Sequence, residues 1–195
     1  MNRVTAIGLL LVLTFLSRAQ AQSRLKELVP YTTISVQYAG STGFVSAGIA
    51  KTGKKQLFEL GLLYGYTPAW GDHANHSLSL KLSGSPFQLS LAQKLYWQPI
   101  QAGVFLCQNV GKNLGLIWDQ QYPKGYYWWS RSTRTHLFFS TQFTIDSGPG
   151  LIDRIALYIE ANTNDLYISS YFPNRQTMKI TDIFFLGTGC KILIK

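Results

Sequence analysis

The segment that decides the fold is HSLSLKLS, residues 76–83. Leucine occupies every second position, and the positions between carry Ser77, Ser79, Lys81 and Ser83. Successive side chains of a β-strand point to opposite faces, whereas a helical stripe repeats every three or four residues. The segment therefore predicts a β-strand with one apolar and one polar face.

The same alternation recurs along most of the chain. Most of the runs have 9–12 residues, longer than the usual strand of about 5–6 residues and close to the roughly 9–11 tilted residues that cross a bilayer. The predicted strands are residues 31–39, 42–51, 56–66, 75–84, 98–108, 134–145, 152–162 and 182–194.

The connections between these strands differ at the two ends of the predicted sheet. One end has short turns near 52–54 and 146–150 and a longer turn near 86–98. The other end has a tight hairpin at 40–41 and longer loops at 67–74, 109–133 and 163–181. An even strand count with this asymmetry is typical of outer-membrane barrels. We therefore expect an all-β fold, an eight-stranded antiparallel up-and-down transmembrane β-barrel with a filled lumen.

The predicted polar faces consist mostly of small residues, which suit the crowded interior of an eight-stranded barrel. Five charged residues share this inward side, namely Glu59, Lys81, Arg154, Glu160 and Lys191. Charges inside a lumen of low dielectric must be paired. Glu59 and Lys81 lie on neighbouring predicted strands, as do Arg154 or Glu160 and Lys191, and we expect opposite charges on such neighbours to pair. This structural plug leaves no open pore, and an ion or proton path is the alternative.

The N-terminus and the composition indicate where the protein resides. Residues 1–21 combine a basic start, an apolar run and Ala19-Gln20-Ala21, the pattern of a secretory signal peptide. Residues 22–195 would then form the barrel domain. The chain is 46% hydrophobic and only 14% charged, against roughly 25% charged in soluble domains. We expect export to the cell outer membrane, and the scattered net charge of +9 does not favour nucleic acid binding.

Aromatic residues lie at the ends of the predicted strands and in the loops. Tyr and Trp favour the lipid headgroup level, where the ring is in an apolar environment and the polar tip meets water. An aromatic-rich binding loop on a soluble sandwich is the alternative. The predicted interface aromatics are Tyr64, Tyr66, Trp70, Trp97, Trp118, Trp128 and Trp129. Cys107 and Cys190 lie in apolar runs, and we expect free buried thiols, with a disulfide as the alternative.

Several segments carry a resemblance to known proteins. YGYTPAW, HSLSLKL, QYPKGYYWW, LYIEANTNDLYISSYFPN and TDIFFLGTGCKILIK together resemble a family of small, functionally unassigned outer-membrane β-barrel proteins of Gram-negative bacteria. The resemblance covers nearly all of residues 22–195 and implies a fold and a location but no activity. The chain departs from outer-membrane barrels in ending on Ile-Leu-Ile-Lys instead of an aromatic residue.

The loop around residue 72 carries the candidate catalytic residues Asp72, His73, His76 and Ser77. Two known eight-stranded outer-membrane barrels, a palmitoyl transferase and a deacylase, act on lipid A through a histidine near the membrane surface with a serine or acidic partner. His136, Asp119 and Asp165 are possible remote partners. However, His76 and Ser77 are adjacent and should point to opposite faces, and two histidines alone make a weak metal site.

Three hypotheses follow. The leading one is a non-enzymatic outer-membrane barrel with a structural or surface-interaction role; the others are a lipid A acyl hydrolase or acyltransferase and a soluble periplasmic lipid-binding barrel. We expect no cofactor and no metal. The expected partners are outer-membrane lipid or lipopolysaccharide and the barrel-assembly machinery, with no nucleic acid, and the chain is expected to be a monomer.

Overall fold

The computed structural model describes residues 31–53, 56–69, 73–110 and 132–194. They form nine β-strands, one α-helix (α1) and a short 3-10 helix. In chain order these are β1 Tyr31–Ala39, β2 Val45–Thr52, β3 Phe58–Thr67, β4 Asn75–Gly84, β5 Leu89–Ala92, β6 Leu95–Val110, β7 Thr133–Asp146, β8 Ile152–Asn164, α1 Asp165–Asn174, the 3-10 helix Ile180–Ile183, and β9 Phe185–Ile194.

Eight of the strands close into one antiparallel barrel. Consecutive strands pair in the order β1-β2-β3-β4-β6-β7-β8-β9, and β9 returns to pair with β1 from Ala39↔Gly187 to Thr32↔Ile194. β5 lies outside this ring and pairs only with the first residues of β6. The predicted eight-stranded up-and-down barrel is confirmed, and β9 is paired as far as Ile194 although the chain lacks a terminal aromatic residue.

Two segments differ from the sequence-based expectation. The connection expected near 86–98 contains β5 at residues 89–92, which extends the hairpin with β6 beyond the barrel. The loop expected at 163–181 contains α1, which Asn164 caps by accepting a hydrogen bond from the Tyr167 N–H. The signal peptide expected at 1–21 lies outside the described residues. Within the described part of the chain, no helix is both long and apolar enough to cross a membrane.

The faces of the strands divide sharply between the lumen and the exterior. On β4, Ser77, Ser79, Lys81 and Ser83 are buried in the lumen, whereas the leucines at 78, 80 and 82 are 48%, 50% and 40% exposed on the outside. The other barrel strands repeat this division, with buried Gln, Ser and Thr inside and exposed Leu, Ile, Val and aromatic residues outside. This distribution is the reverse of a soluble domain, where large apolar side chains fill the core.

Glycines make room for the large side chains of the lumen. A Cβ at Gly189 would lie 2.5 Å from the Tyr158 ring and 2.6 Å from the Val36 carbonyl oxygen. A Cβ at Gly103 would lie 2.7 Å from the Phe138 ring. The interior of an eight-stranded barrel only just accommodates its side chains. Tyr158 and Phe138 therefore each face a glycine, which has no side chain.

The expected free thiols are confirmed, with Cys107 buried and Cys190 half-buried.

We predict that Gly189→Val destabilises the barrel by about 1–3 kcal/mol, because the added side chain overlaps Tyr158 in a filled interior. The free energy of unfolding in urea, measured on detergent-solubilised protein, tests this. Gly150→Val is the matched control, since Gly150 lies in the β7–β8 turn with nothing within 4 Å of its Cβ position. Equal stability of the two variants would contradict the close packing at Gly189.

Candidate functional site

The lumen is the candidate site, and at its centre two ion pairs bridge the barrel. Lys81 of β4 binds Glu160 of β8, and Lys191 of β9 binds Glu59 of β3 at 2.7 Å. The two strands of each pair lie three positions apart in the ring. The expected pairing between neighbouring strands, Glu59 with Lys81 and Glu160 with Lys191, is therefore wrong. Long side chains in so narrow a lumen reach across it more readily than along its wall.

Aromatic rings and hydroxyls complete the surroundings of these charges. Lys81 Nζ lies 4.1 Å from the centre of the Phe138 ring, and Lys191 Nζ lies 5.1 Å from that of Tyr158. Such positions over a ring face stabilise a desolvated cation. The Tyr158 hydroxyl donates to Gln37 Oε1 at 2.8 Å, and Thr52 Oγ1 donates to Glu59 at 3.1 Å. The central charges are thus paired and partly solvated by the protein itself.

Arg154, which was expected in the lumenal ion pairs, lies instead at the end of the barrel where β1 begins and β9 ends, called here the terminal mouth. Its Nε is 2.8 Å from Asp146 and 3.5 Å from Asp153. Its guanidinium is also 5.7 Å from the Tyr31 ring and 5.6 Å from the Tyr96 ring. Arg154 is the first of the inward-facing residues on β8, so the face predicted for it is correct. However, it lies at the rim of the barrel and not at the depth of the central ion pairs.

The terminal mouth is filled by a glutamine from the turn between β2 and β3. Gln56 is buried and has a φ of 56°, a left-handed conformation that turns its side chain into the barrel. Gln142 Nε2 donates to Gln56 Oε1 at 2.7 Å and to Gln98 Oε1 at 2.9 Å, while Gln98 Nε2 donates to the Gln56 carbonyl at 3.0 Å. These three glutamines form a neutral plug.

The opposite end, called the loop mouth, is narrowed by the hairpin between β1 and β2. Thr42 at the hairpin tip is buried, and its carbonyl accepts a hydrogen bond from the Ser77 hydroxyl. Its own hydroxyl lies 3.1 Å from Ser46 Oγ. Gly65 on β3 is required here, because a Cβ at that position would collide with the Thr42 carbonyl. The predicted strands 42–51 and 56–66 included Thr42 and Gln56, but the structure places both residues in turns, because β2 begins at Val45 and β3 at Phe58.

The adjacent residues His76 and Ser77 point to opposite faces of β4. Ser77 is buried in the lumen, whereas His76 lies on the exterior, where its Nδ1 is 2.6 Å from the Tyr64 hydroxyl. The structure therefore does not bring them together as a nucleophile and a base. His73 is exposed in the connection between β3 and β4, and Asp72 lies outside the described residues.

The remote partners considered for catalysis are also separate from His76. His136 is buried and stacks on Phe105, with ring centres 4.3 Å apart. Asp165, at the start of α1, lies 3.5 Å from Arg134, and Asp119 lies outside the described residues. Among those that are described, no group of three or more His, Cys, Asp or Glu residues could hold a metal ion.

The predicted interface aromatics that the structure describes lie on the barrel exterior. Tyr64 and Tyr66 are 52% and 41% exposed and flank His76 near the loop mouth. Trp97 lies near the terminal mouth, where it stacks on Phe143 at 5.8 Å and donates to Thr141 Oγ1 at 2.9 Å. The remaining four lie outside the described residues, namely Trp70, Trp118, Trp128 and Trp129.

Comparisons with known proteins give no match. No family model, no curated protein and no solved structure is significantly similar to this chain. Functional inference therefore depends on the geometry of the barrel itself.

We predict that Lys81→Met destabilises the barrel by about 3–5 kcal/mol, because Glu160 is left buried without its cation. The double variant Lys81→Met/Glu160→Met should recover most of this loss, since it removes both charges and keeps the lumen filled. Urea unfolding in detergent measures the effect.

Arg134→Met provides the control for that experiment. Its partner Asp165 lies at the rim and is partly exposed, and loss of such a pair costs about 1 kcal/mol or less. A single Lys81 variant no less stable than the Arg134 variant would contradict the structural importance of the central pair.

Proposed function

We propose that this protein is an integral outer-membrane β-barrel with a closed lumen and a structural or surface-interaction role. The observation that carries the proposal is the reversed polarity of the barrel, with apolar side chains exposed and ion pairs and amides enclosed. An exposed apolar surface of this extent is incompatible with water as the only neighbour. In a closed barrel, the backbone N–H and C=O groups at both edges of every barrel strand are paired with a neighbouring strand, as the bilayer interior requires.

The distribution of exterior aromatic residues supports the same proposal. Tyr38, Tyr64 and Tyr66 lie towards the loop mouth, and Phe58 and Trp97 towards the terminal mouth. On β3, the nine residues from Phe58 to Tyr66 span about 26 Å along the strand, or about 20 Å along the axis at a tilt of about 40°. This is close to the apolar band, about 25 Å tall, of transmembrane barrels.

The proposal includes a location and partners. The loop mouth would face the cell exterior and the terminal mouth the periplasm, with lipid or lipopolysaccharide around the barrel and insertion by the barrel-assembly machinery. Kinship with the small unassigned outer-membrane barrels of Gram-negative bacteria belongs to the same proposal and is supported by the segments quoted above.

The two alternative functions receive less support. A soluble lipid-binding barrel needs an apolar interior, whereas this lumen holds Lys81, Glu160, Lys191 and Glu59. A lipid A hydrolase or acyltransferase needs a histidine beside its nucleophile or carboxylate, whereas His76 and Ser77 lie on opposite faces. The non-enzymatic role is therefore preferred.

The test of membrane integration is gel mobility of the protein extracted from envelopes in detergent, unheated and boiled. We expect the unheated protein to migrate differently and to resist protease, because a closed hydrogen-bonded barrel survives the detergent. Recovery in the soluble fraction with a single mobility would overturn the proposal.

A charged residue on the barrel exterior should impair insertion. We predict that Leu80→Arg, at the middle of β4, destabilises the inserted protein by about 2–4 kcal/mol. Folding into phospholipid vesicles, followed by the fraction with barrel mobility on unheated gels, measures this. Leu151→Arg is the control, since Leu151 is 74% exposed in the β7–β8 turn. Equal folding of both variants would argue that the face bearing Leu80 does not meet lipid.

A further inference from the structure

A cavity opens at the loop mouth beside the β1–β2 hairpin. Its volume is about 310 Å³, at the lower end of the roughly 300–1,000 Å³ of small-molecule sites. One aromatic residue, Phe44, contributes to its wall. The polar side chains that line it are Ser41, Thr42, Thr67, Asn75, Ser77 and Asn109.

Two asparagines that line this cavity have hydrogen-bonding groups that are not used. Asn75 Nδ2 donates to Asn109 Oδ1 at 3.2 Å. Asn75 Oδ1 is buried and has no partner, and nothing in the described part of the chain accepts a hydrogen bond from Asn109 Nδ2. Two amides joined by one hydrogen bond leave one amide oxygen and one amide NH2 group free. This also holds when the oxygen and nitrogen atoms of both amides are exchanged. A buried acceptor without a partner is costly, so a ligand group that donates to it is favoured.

The wall of the cavity is held in place by the barrel. Ser77 donates to the Thr42 carbonyl, and the Phe44 N–H donates to Thr67 Oγ1 at 3.2 Å. Ser41 is bonded to Asn162 of β8, on the other side of the mouth. A hairpin fixed at its tip and on both flanks loses little conformational freedom when a ligand binds.

The chemistry of the lining selects the class of ligand. Among the described residues that line the cavity, none has a charged side chain, so they offer nothing to neutralise an anion or a cation. They supply hydroxyls and amides, which match a neutral polyhydroxy compound. The free oxygen of one amide and the free NH2 group of the other can engage two hydroxyls of one ligand, one hydroxyl donating and one accepting.

We propose that the cavity at the loop mouth binds a neutral monosaccharide unit through a pair of neighbouring hydroxyls held by Asn75 and Asn109. This inference rests on the proposed function in one respect, because it names the ligand class for a surface-interaction role at the face turned to the cell exterior.

The experiment uses the full chain in lauryldimethylamine oxide micelles, since sugar-based detergents would compete for the site. Methyl α-D-mannopyranoside, which carries a pair of neighbouring ring hydroxyls in cis, is titrated, and binding is followed by saturation-transfer NMR. Cyclohexanol, a ring of the same size without a diol, is the control ligand. The variants are Asn75→Leu and Asn109→Leu. Asn174→Leu, on α1 outside the cavity, is the matched control.

We expect saturable binding of the mannoside by the wild type and by Asn174→Leu, and at least tenfold weaker binding by both cavity variants. No saturable binding to the wild type, equal binding by the cavity variants, or equal binding of cyclohexanol would each overturn the inference. The gel shift on boiling is recorded for every variant. If Asn75→Leu loses that shift, Asn75→Ser, which keeps a polar group of smaller size, replaces it.

The same samples separate this inference from the proposed function. A wild type that shifts on boiling but binds no mannoside leaves the membrane barrel standing and removes the sugar site. A wild type without the shift removes the membrane barrel, whatever the mannoside titration gives.

Discussion

The structure depends on one constraint, which is that each charge at the centre of the barrel must find an opposite charge inside the barrel. The ion pairs Lys81–Glu160 and Lys191–Glu59 meet this constraint across the lumen. They also fix strand register, because a slip of β4 by one residue would move Lys81 to the apolar exterior and bring leucines inside. A buried ion pair contributes little net stability, because the cost of desolvating the two charges offsets their attraction. However, it excludes strand registers in which one of the charges would be unpaired.

The two ends of the lumen are narrowed by residues of turns that point inwards. Gln56 enters the terminal mouth from one turn and Thr42 enters the loop mouth from another. Each bonds to barrel side chains that already face inwards, so closure requires no separate plug domain. Neutral amides and hydroxyls suit these positions, because they tolerate partial contact with water without the desolvation cost of an ion.

The sequence predicted the barrel because polar and apolar residues that alternate along a strand indicate a different environment on each of its two faces. Strands β1 and β4 match their predicted bounds. The prediction failed for contacts that alternation does not encode. The partner of Lys81 depends on the width of the lumen, and the burial of Gln56 depends on a left-handed turn. The cavity beside Asn75 was missed for the same reason, since its wall is a hairpin tip and its two amides come from different strands.

The alternation that builds the barrel also restricts the chemistry it can perform. Consecutive residues on a strand face opposite media, so a nucleophile and its base cannot be neighbours in sequence, and His76 and Ser77 illustrate this. Groups that act together must come from different strands, either at the centre of the lumen or at a mouth. The central groups are already paired with each other, and the terminal mouth is filled by glutamines. The loop mouth retains an unpaired amide oxygen in the wall of an open cavity, and the recognition inferred above is placed there.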